Sequence, residues 1–321
     1  MTCGLAALVI GTGSAAGAAS EAITAHVTTA HPVVGQTLTI QGQVTGASTA
    51  MSTVTVTRDD SSASGTPVGM PVMTDDQGNF TVSDTPPVRG TVTYHLSADG
   101  GAATTDVQAQ VAGKPTALSI SATPTTADAG SNVHVTAHLG SPTTERTVTL
   151  YAKPYQQSRQ QFASGAVDAN GDRAADHKVD RRTTFIATFA GDSVYAPANA
   201  IVTVSVRGVI DAQLRGGYGN RDGYRLYRRS ASVNVFIHLQ PEYKGACIVM
   251  RAQRRSSGAW HNAAVSGCGS DAIRTNADGE VIAQLQPPHV SGVPYRLRAE
   301  FRGGNGVAAD AGTWLRLRFT S

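Results

Sequence analysis

The chain has 321 residues, 40% of them hydrophobic and only 15% charged. That is more than one hydrophobic core usually organises, and glycine, alanine, serine, threonine and valine crowd it, which excludes a helix-rich protein and a charged disordered one. The formal net charge of +3 conceals a gradient from −6 over residues 21–112, through +2 over 113–207, to +7 over 208–321, so the last third is the part suited to anionic partners.

Residues 1–20, MTCGLAALVIGTGSAAGAAS, hold a short apolar run from Leu5 to Ile10 and then small residues with Ala16 and Ala18 in an A-x-A arrangement. This pattern predicts a signal peptide cut after about Ala18, although no Lys or Arg precedes the run, as a start codon placed too late would explain. The competing reading is a disordered tail on a cytosolic protein. Leu5–Ile10 is too short to span a bilayer, and no other stretch approaches about 18 apolar residues, so no transmembrane segment is expected. Cys3 would leave with the signal. Cys247 and Cys268 then remain as an even pair, which suits one disulfide in an oxidising compartment. A half metal site is the alternative, but within 208–321 no Cys-x-x-Cys or His-x-x-x-His completes it.

After residue 20 one pattern recurs three times. An alternating strand comes first, with Leu38, Ile40, Gly42 and Val44, then Val133, Val135, Ala137 and Leu139, then Val233, Val235, Ile237 and Leu239. Its period of two marks one buried and one wet face. A second strand follows at 54–57, 146–152 and 246–252. Next stands a shared turn, DDQGN at 75–79, DANGD at 168–172 and NADGE at 276–280, whose Asx and Gly residues predict a hairpin. A further alternating strand (Val92 to Ala98, Phe185 to Phe189, Tyr295 to Phe301) and a closing one (Val107 to Val111, Ile201 to Val206, Trp314 to Phe319) complete each unit. Units of this length without helical periodicity predict an all-β chain of three tandem immunoglobulin-like antiparallel β-sandwich domains at 21–112, 113–207 and 208–321. The links at 112–115 and 207–208 are short and predict a string with limited bending.

The stretch Phe189-Ala190-Gly191-Asp192-Ser193-Val194-Tyr195-Ala196-Pro197-Ala198, followed by a Thr/Val/Ser strand, resembles the late strand and loop of bacterial Ig-like repeat domains of exported surface proteins. The third unit keeps only Phe301-Arg302-Gly303-Gly304 and the first Ala98-Asp99-Gly100-Gly101. The resemblance implies a bacterial protein, secreted or extracellular and in the narrower case cell-wall associated, with cell adhesion, ligand-holding or spacer duties and no catalytic residues. It is an analogy of fold, and such folds host many functions.

Chemistry is sparse. His134 and His138 lie on one strand face about 13 Å apart and cannot share an ion directly, so they are expected to face solvent, and His238 is expected at the surface or at an interface. Asp168, Asn170 and Asp172 open like a calcium loop, but Arg173 and Val179 stand where Gly and Glu are needed; a turn is expected, with a weak calcium site including Asp176 as the alternative. No nucleophile elbow or phosphate loop appears, so no enzyme activity, cofactor or resident metal is expected. One stretch, RGGYGNRDGYRLYRR at 215–229, gathers Arg215, Tyr218, Arg221, Tyr224, Arg225, Tyr227, Arg228 and Arg229. Planar guanidinium forks and flat rings suit a cell-envelope glycan, another surface protein or, less well, nucleic acid. The bland reading is a solvated edge strand guarded by arginines. Trp260-His261 adds a further aromatic candidate for an exposed position.

Overall fold

The computed structural model describes residues 20–46, 51–140, 146–269, 272–287 and 289–321. The expected signal peptide therefore lies, apart from Ser20, outside the described residues. By compactness the chain forms two units: one runs to Thr116 and includes Gly191–Ala196, and the other holds Ala117–Ala190 and Pro197–Ser321.

Among the described residues every regular element is a strand. In the first unit these are β1 (Ala22–Val27), β2 (Leu38–Thr45), β3 (Thr53–Asp59), β4 (Thr66–Pro67), β5 (Val72–Met73), β6 (Asn79–Asp84), β7 (Gly90–Ala98) and β8 (Ala103–Val111). The second unit starts with β9 (Leu118–Thr123), β10 (Thr126–Asp128), β11 (Ser131–Leu139), β12 (Thr147–Pro154), β13 (Gln160–Ala166), β14 (Asp172–Val179), β15 (Thr183–Phe189) and β16 (Ala198–Arg207). It continues with β17 (Val209–Arg215), β18 (Gly219–Arg221), β19 (Tyr224–Arg228), β20 (Val233–Gln240), β21 (Cys247–Ser256) and β22 (Ala259–Val265). It ends with β23 (Ile273–Arg274), β24 (Glu280–Leu285), β25 (Pro294–Phe301), β26 (Asp310–Ala311) and β27 (Leu315–Thr320).

These strands build the same sandwich three times. A three-stranded sheet (β1-β2-β6, β14-β11-β9, β17-β20-β24) faces a larger one, ordered β4-β3-β7-β8, β10-β16-β15-β12-β13 and β18-β19-β27-β25-β21-β22. The alternation read from sequence decides which side chains meet between the sheets. Leu38, Ile40, Tyr94 and Leu96 fill the first core, Val133, Val135, Phe185 and Val204 the second, and Ile237, Leu239, Ile248 and Phe319 the third. Each buried side chain of this size contributes roughly 1.5–3 kcal/mol relative to exposure. Where the first strand ends, the chain crosses to the other sheet and pairs in parallel with the last strand, as β10 with β16, β19 with β27, and Val33 with Ala112. Two packed antiparallel sheets with this edge crossing make three immunoglobulin-like sandwiches.

The shared Asx-Gly turn is not a hairpin. β6 pairs β2, β14 pairs β11 and β24 pairs β20, so the turn is the corner by which the chain passes from one sheet to the other. In each corner the first Asx oxygen accepts two amides, from Gln77 and Asn79 to Asp75, from Asn170 and Asp172 to Asp168, and from Asp278 and Glu280 to Asn276. The glycine three residues later has φ of 82°, 87° or 74° and offers its carbonyl to Val44, Leu139 or Leu239. A side chain cannot adopt that φ cheaply, which explains the repeated spelling.

Within the second unit, β16 and β17 are separated only by Gly208, whose amide donates to Ala308 O, while the Ala308 amide donates to Val206 O. Gly306 lies against Tyr155, and the Arg182 amide donates to Gly306 O at 2.7 Å.

Candidate functional site

The segment 215–229 is the crossing from β17 to β19. In the preceding sandwich that crossing consists of Pro124 and Thr125; here it is expanded by the short strand β18, which forms a hairpin with β19. Its glycines permit the bends: Gly216, Gly217 and Gly223 all have φ between 76° and 82°.

The eight residues predicted for ligand binding do not form one surface. Tyr227 is 3% exposed and belongs to the core, its hydroxyl donating to Arg215 O at 2.8 Å. Arg225 turns back into the hairpin, its Nε donating to Gly216 O. Arg215 stacks over Phe236 of β20, 5.2 Å from the ring centre, on the three-stranded sheet. Tyr218 is exposed and hydrogen-bonds Thr320 Oγ1 at 2.6 Å. Arg221, Arg228 and Arg229 are exposed, Arg221 at the hairpin tip beside Asp222. Tyr224 faces outward on the larger sheet, with the Arg318 guanidinium 4.8 Å above its ring.

That last contact leads to a feature the sequence reading passed over. On β25 Tyr295, Leu297, Ala299 and Phe301 face inward, and on β27 so do Leu317 and Phe319. The alternate positions Arg296, Arg298, Arg316 and Arg318 therefore share the outer face, with Arg296 and Arg316 directly opposite one another. Arg296 stacks against both tryptophans, 4.5 Å from the centre of Trp260 and 4.1 Å from Trp314; Arg298 lies 4.6 Å from Trp314. One acid interrupts the positive charge. Glu300 accepts from Arg251 Nε at 2.9 Å and from Arg298 Nη2 at 2.7 Å, and these hydrogen bonds, Arg251 first, hold its carboxyl down at about 2. Among the described residues Arg296, Arg316 and Arg318 have no acidic partner, and Arg296 donates instead to Gln253 Oε1. Desolvation, then the like charges of Arg298 and Arg316, lowers the pKa of Arg296. The signal was legible as arginine at every second place in YRLRAEF and LRLRFT, but β22, β21, β25, β27 and β19 become neighbours only in the sheet.

At the edge of this sheet Cys247, at the start of β21, is joined to Cys268, with Cα atoms 5.8 Å apart. Trp260 is half-buried and His261 exposed. The histidine pair is taken up by cross-strand carboxylates: His134 Nδ1 lies 2.7 Å from Asp176 and His138 Nδ1 2.8 Å from Asp172, while Asp168 serves its own turn. His238 is half-buried and lies 3.3 Å from Glu242. The three aspartates thus point to separate partners, and among the described residues no group of three or more His, Cys, Asp or Glu is placed to hold a metal ion. No described helix is long and apolar enough to cross a membrane.

No family profile and no curated protein matches this chain. Among solved structures it is similar to the three N-terminal domains of the highly immunogenic outer capsid protein of bacteriophage RB49, with 12% identity, a TM-score of 0.32, and cover of 95% of this chain and 100% of that chain. The Yersinia pseudotuberculosis adhesin InvE is similar at 16% identity and a TM-score of 0.32, over 57% of this chain and 59% of that chain. Invasin, a bacterial integrin-binding protein, is similar at 12% identity and a TM-score of 0.32, over 92% of this chain and 60% of that chain. Likenesses this distant say nothing of what the chain binds.

Proposed function

We propose that the chain is a secreted or cell-surface bacterial protein whose immunoglobulin-like domains, at 21–112, 113–207 and 208–321, act as an adhesive or spacer element without catalysis. The observation that carries this is repetition: one sandwich with one corner turn and one edge crossing is built three times from side chains spent on cores and corners. The Cys247–Cys268 bond supports an oxidising compartment. Residues 1–20 supply the export signal in this reading. The test is intact-mass analysis of the native protein from culture medium and washed cell envelopes. The expected species lacks about the first 18 residues and carries no free thiol at Cys247 or Cys268. A full-length, reduced protein confined to the cytosol would overturn the proposal.

A second reading makes residues 208–321 a carbohydrate- or polyanion-binding module. The exposed Arg221, Arg228, Arg229 and Tyr218 favour it, as do the Arg318–Tyr224 contact on the outer face and the +7 charge of that segment.

A further inference from the structure

We infer that the outer face formed by β19, β27, β25, β21 and β22 is a docking surface for an extended acidic polysaccharide, held through Arg296, Arg298, Arg316 and Arg318 in a frame made by Trp260 and Trp314. The inference rests on the second reading above and gives it a place and a ligand class. Three observations carry it.

The charge is of one sign and under-compensated. Glu300, with one negative charge, is shared by Arg251 and Arg298, and Arg296, Arg316 and Arg318 have no carboxylate among the described residues. Like charges directly opposite on neighbouring strands, as Arg296 and Arg316 are, destabilise a sheet unless something anionic covers them.

The guanidinium groups are also pre-positioned. Stacking between indoles fixes the Arg296 plane without using all of its N–H donors, so little rotamer freedom remains to be lost on binding. Arg318 is held over Tyr224, and its Nε is buried without a partner. A planar donor fork fixed in this way matches a carboxylate in two-point fashion.

The spacing suits a polymer. Successive outward positions on one strand are about 6.6 Å apart and neighbouring strands about 4.8 Å apart, giving a flat grid of positive charge rather than a single pocket. A polysaccharide with a carboxylate on each ring can lie across it. Single-stranded nucleic acid binds by stacking bases on open aromatic faces, whereas the rings of Trp260, Trp314 and Tyr224 are already engaged by arginine.

The chain contains two tryptophans, and both stand in this frame, so intrinsic fluorescence reports on the face directly. The full chain is titrated at about 50 mM salt with polygalacturonate, dextran, polyglutamate and single-stranded DNA. The expected result is a saturable change in tryptophan emission with polygalacturonate, half-complete at a concentration at least tenfold below that for DNA or polyglutamate, and absent with dextran. The double variant Arg316→Gln/Arg318→Gln is expected to weaken polygalacturonate binding at least tenfold and to flatten its salt dependence by roughly two counterions. Lys153→Gln/Lys178→Gln, which removes the same charge from exposed positions on the middle sandwich, is expected to change neither. An unaltered tryptophan-monitored denaturation midpoint shows that the arginine variant is folded; if it is shifted, the single variant Arg316→Gln, at an exposed site, replaces it. No emission change, equal or tighter response to DNA or polyglutamate, or an arginine variant that binds like the wild type would each overturn the inference. None of these outcomes touches the secreted-spacer proposal, which is decided by location and mass.

Discussion

Arg58, Asp84 and Tyr94 show how a polar group is kept inside the first sandwich. Arg58 Nη1 donates to both Asp84 oxygens at 3.0 and 2.9 Å, its Nε to Asp60 at 2.9 Å, and the Tyr94 hydroxyl to Asp84 at 2.9 Å. Burial, with Asp84 as hydrogen-bond acceptor, pushes the Tyr94 hydroxyl far up, so it stays a donor. Asp84→Ala leaves a guanidinium short of one partner and a buried hydroxyl without any, and should destabilise this sandwich by about 3 kcal/mol, measured by urea denaturation. Glu300 sets a pH dependence in the third sandwich. Its folded-state pKa of about 2 lies below the ordinary carboxylate value, so its contribution is complete above that ordinary value and is lost as pH falls through about 2. Denaturation followed by tryptophan emission should weaken between about pH 5 and pH 2 in the wild type. Glu300→Gln should flatten that stretch and lower stability at pH 7; an unchanged slope would contradict the assignment.

At the scale of elements, Gly306 and the disulfide hold segments that strand pairing alone leaves loose. Gly306 has φ of 78°, and a Cβ there would stand 2.5 Å from Tyr155 Cβ, an atom next to the backbone that cannot move aside cheaply. Gly306→Val should therefore break the Arg182 N–H to Gly306 O bond and disturb the neighbouring Ala308 N–H to Val206 O bond. Hydrogen exchange should quicken at least tenfold at the Arg182 and Ala308 amides, with Phe185 and Leu317 in the cores unchanged. The Cys247–Cys268 bond closes a loop with a sequence separation of 21 around β21 and β22, and most of β22 is exposed and contributes little to the core. Cys247→Ser/Cys268→Ser should cost the third sandwich roughly 3 kcal/mol by the chain-entropy account, measured as the loss in tryptophan-monitored denaturation free energy.

Three clusters of buried apolar residues stand out among the described residues, one within each sandwich. If each sandwich folds on its own core, substitutions in different clusters should act independently. Asp84→Ala should shift the part of the circular-dichroism transition that belongs to the first sandwich and leave the tryptophan-monitored midpoint within about 0.5 kcal/mol of wild type. A joint shift of both probes would mean that the chain unfolds as one cooperative body.

The sequence by itself determined the sandwich three times over, because period-two alternation states which face of each strand avoids water and the Asx-Gly spelling states where the backbone needs a positive φ. It also singled out Cys247 and Cys268 as the pair to be joined. It could not say that the Asx-Gly turns are corners between sheets, since a turn's local chemistry is the same whether the next strand pairs with the last one or with a partner forty residues back. Nor could it say that Tyr227 is core while Arg225, two places earlier and on the same side of β19, folds back onto Gly216: that depends on which residues the hairpin and the opposite sheet bring against each position. The arginine and tryptophan face had only half a signal, arginine at every second position of two strands more than ten residues apart. Tertiary structure alone laid β27 beside β25 and Trp260 beside Arg296, because strand order is set by long-range pairing and core packing, which no single strand's pattern records.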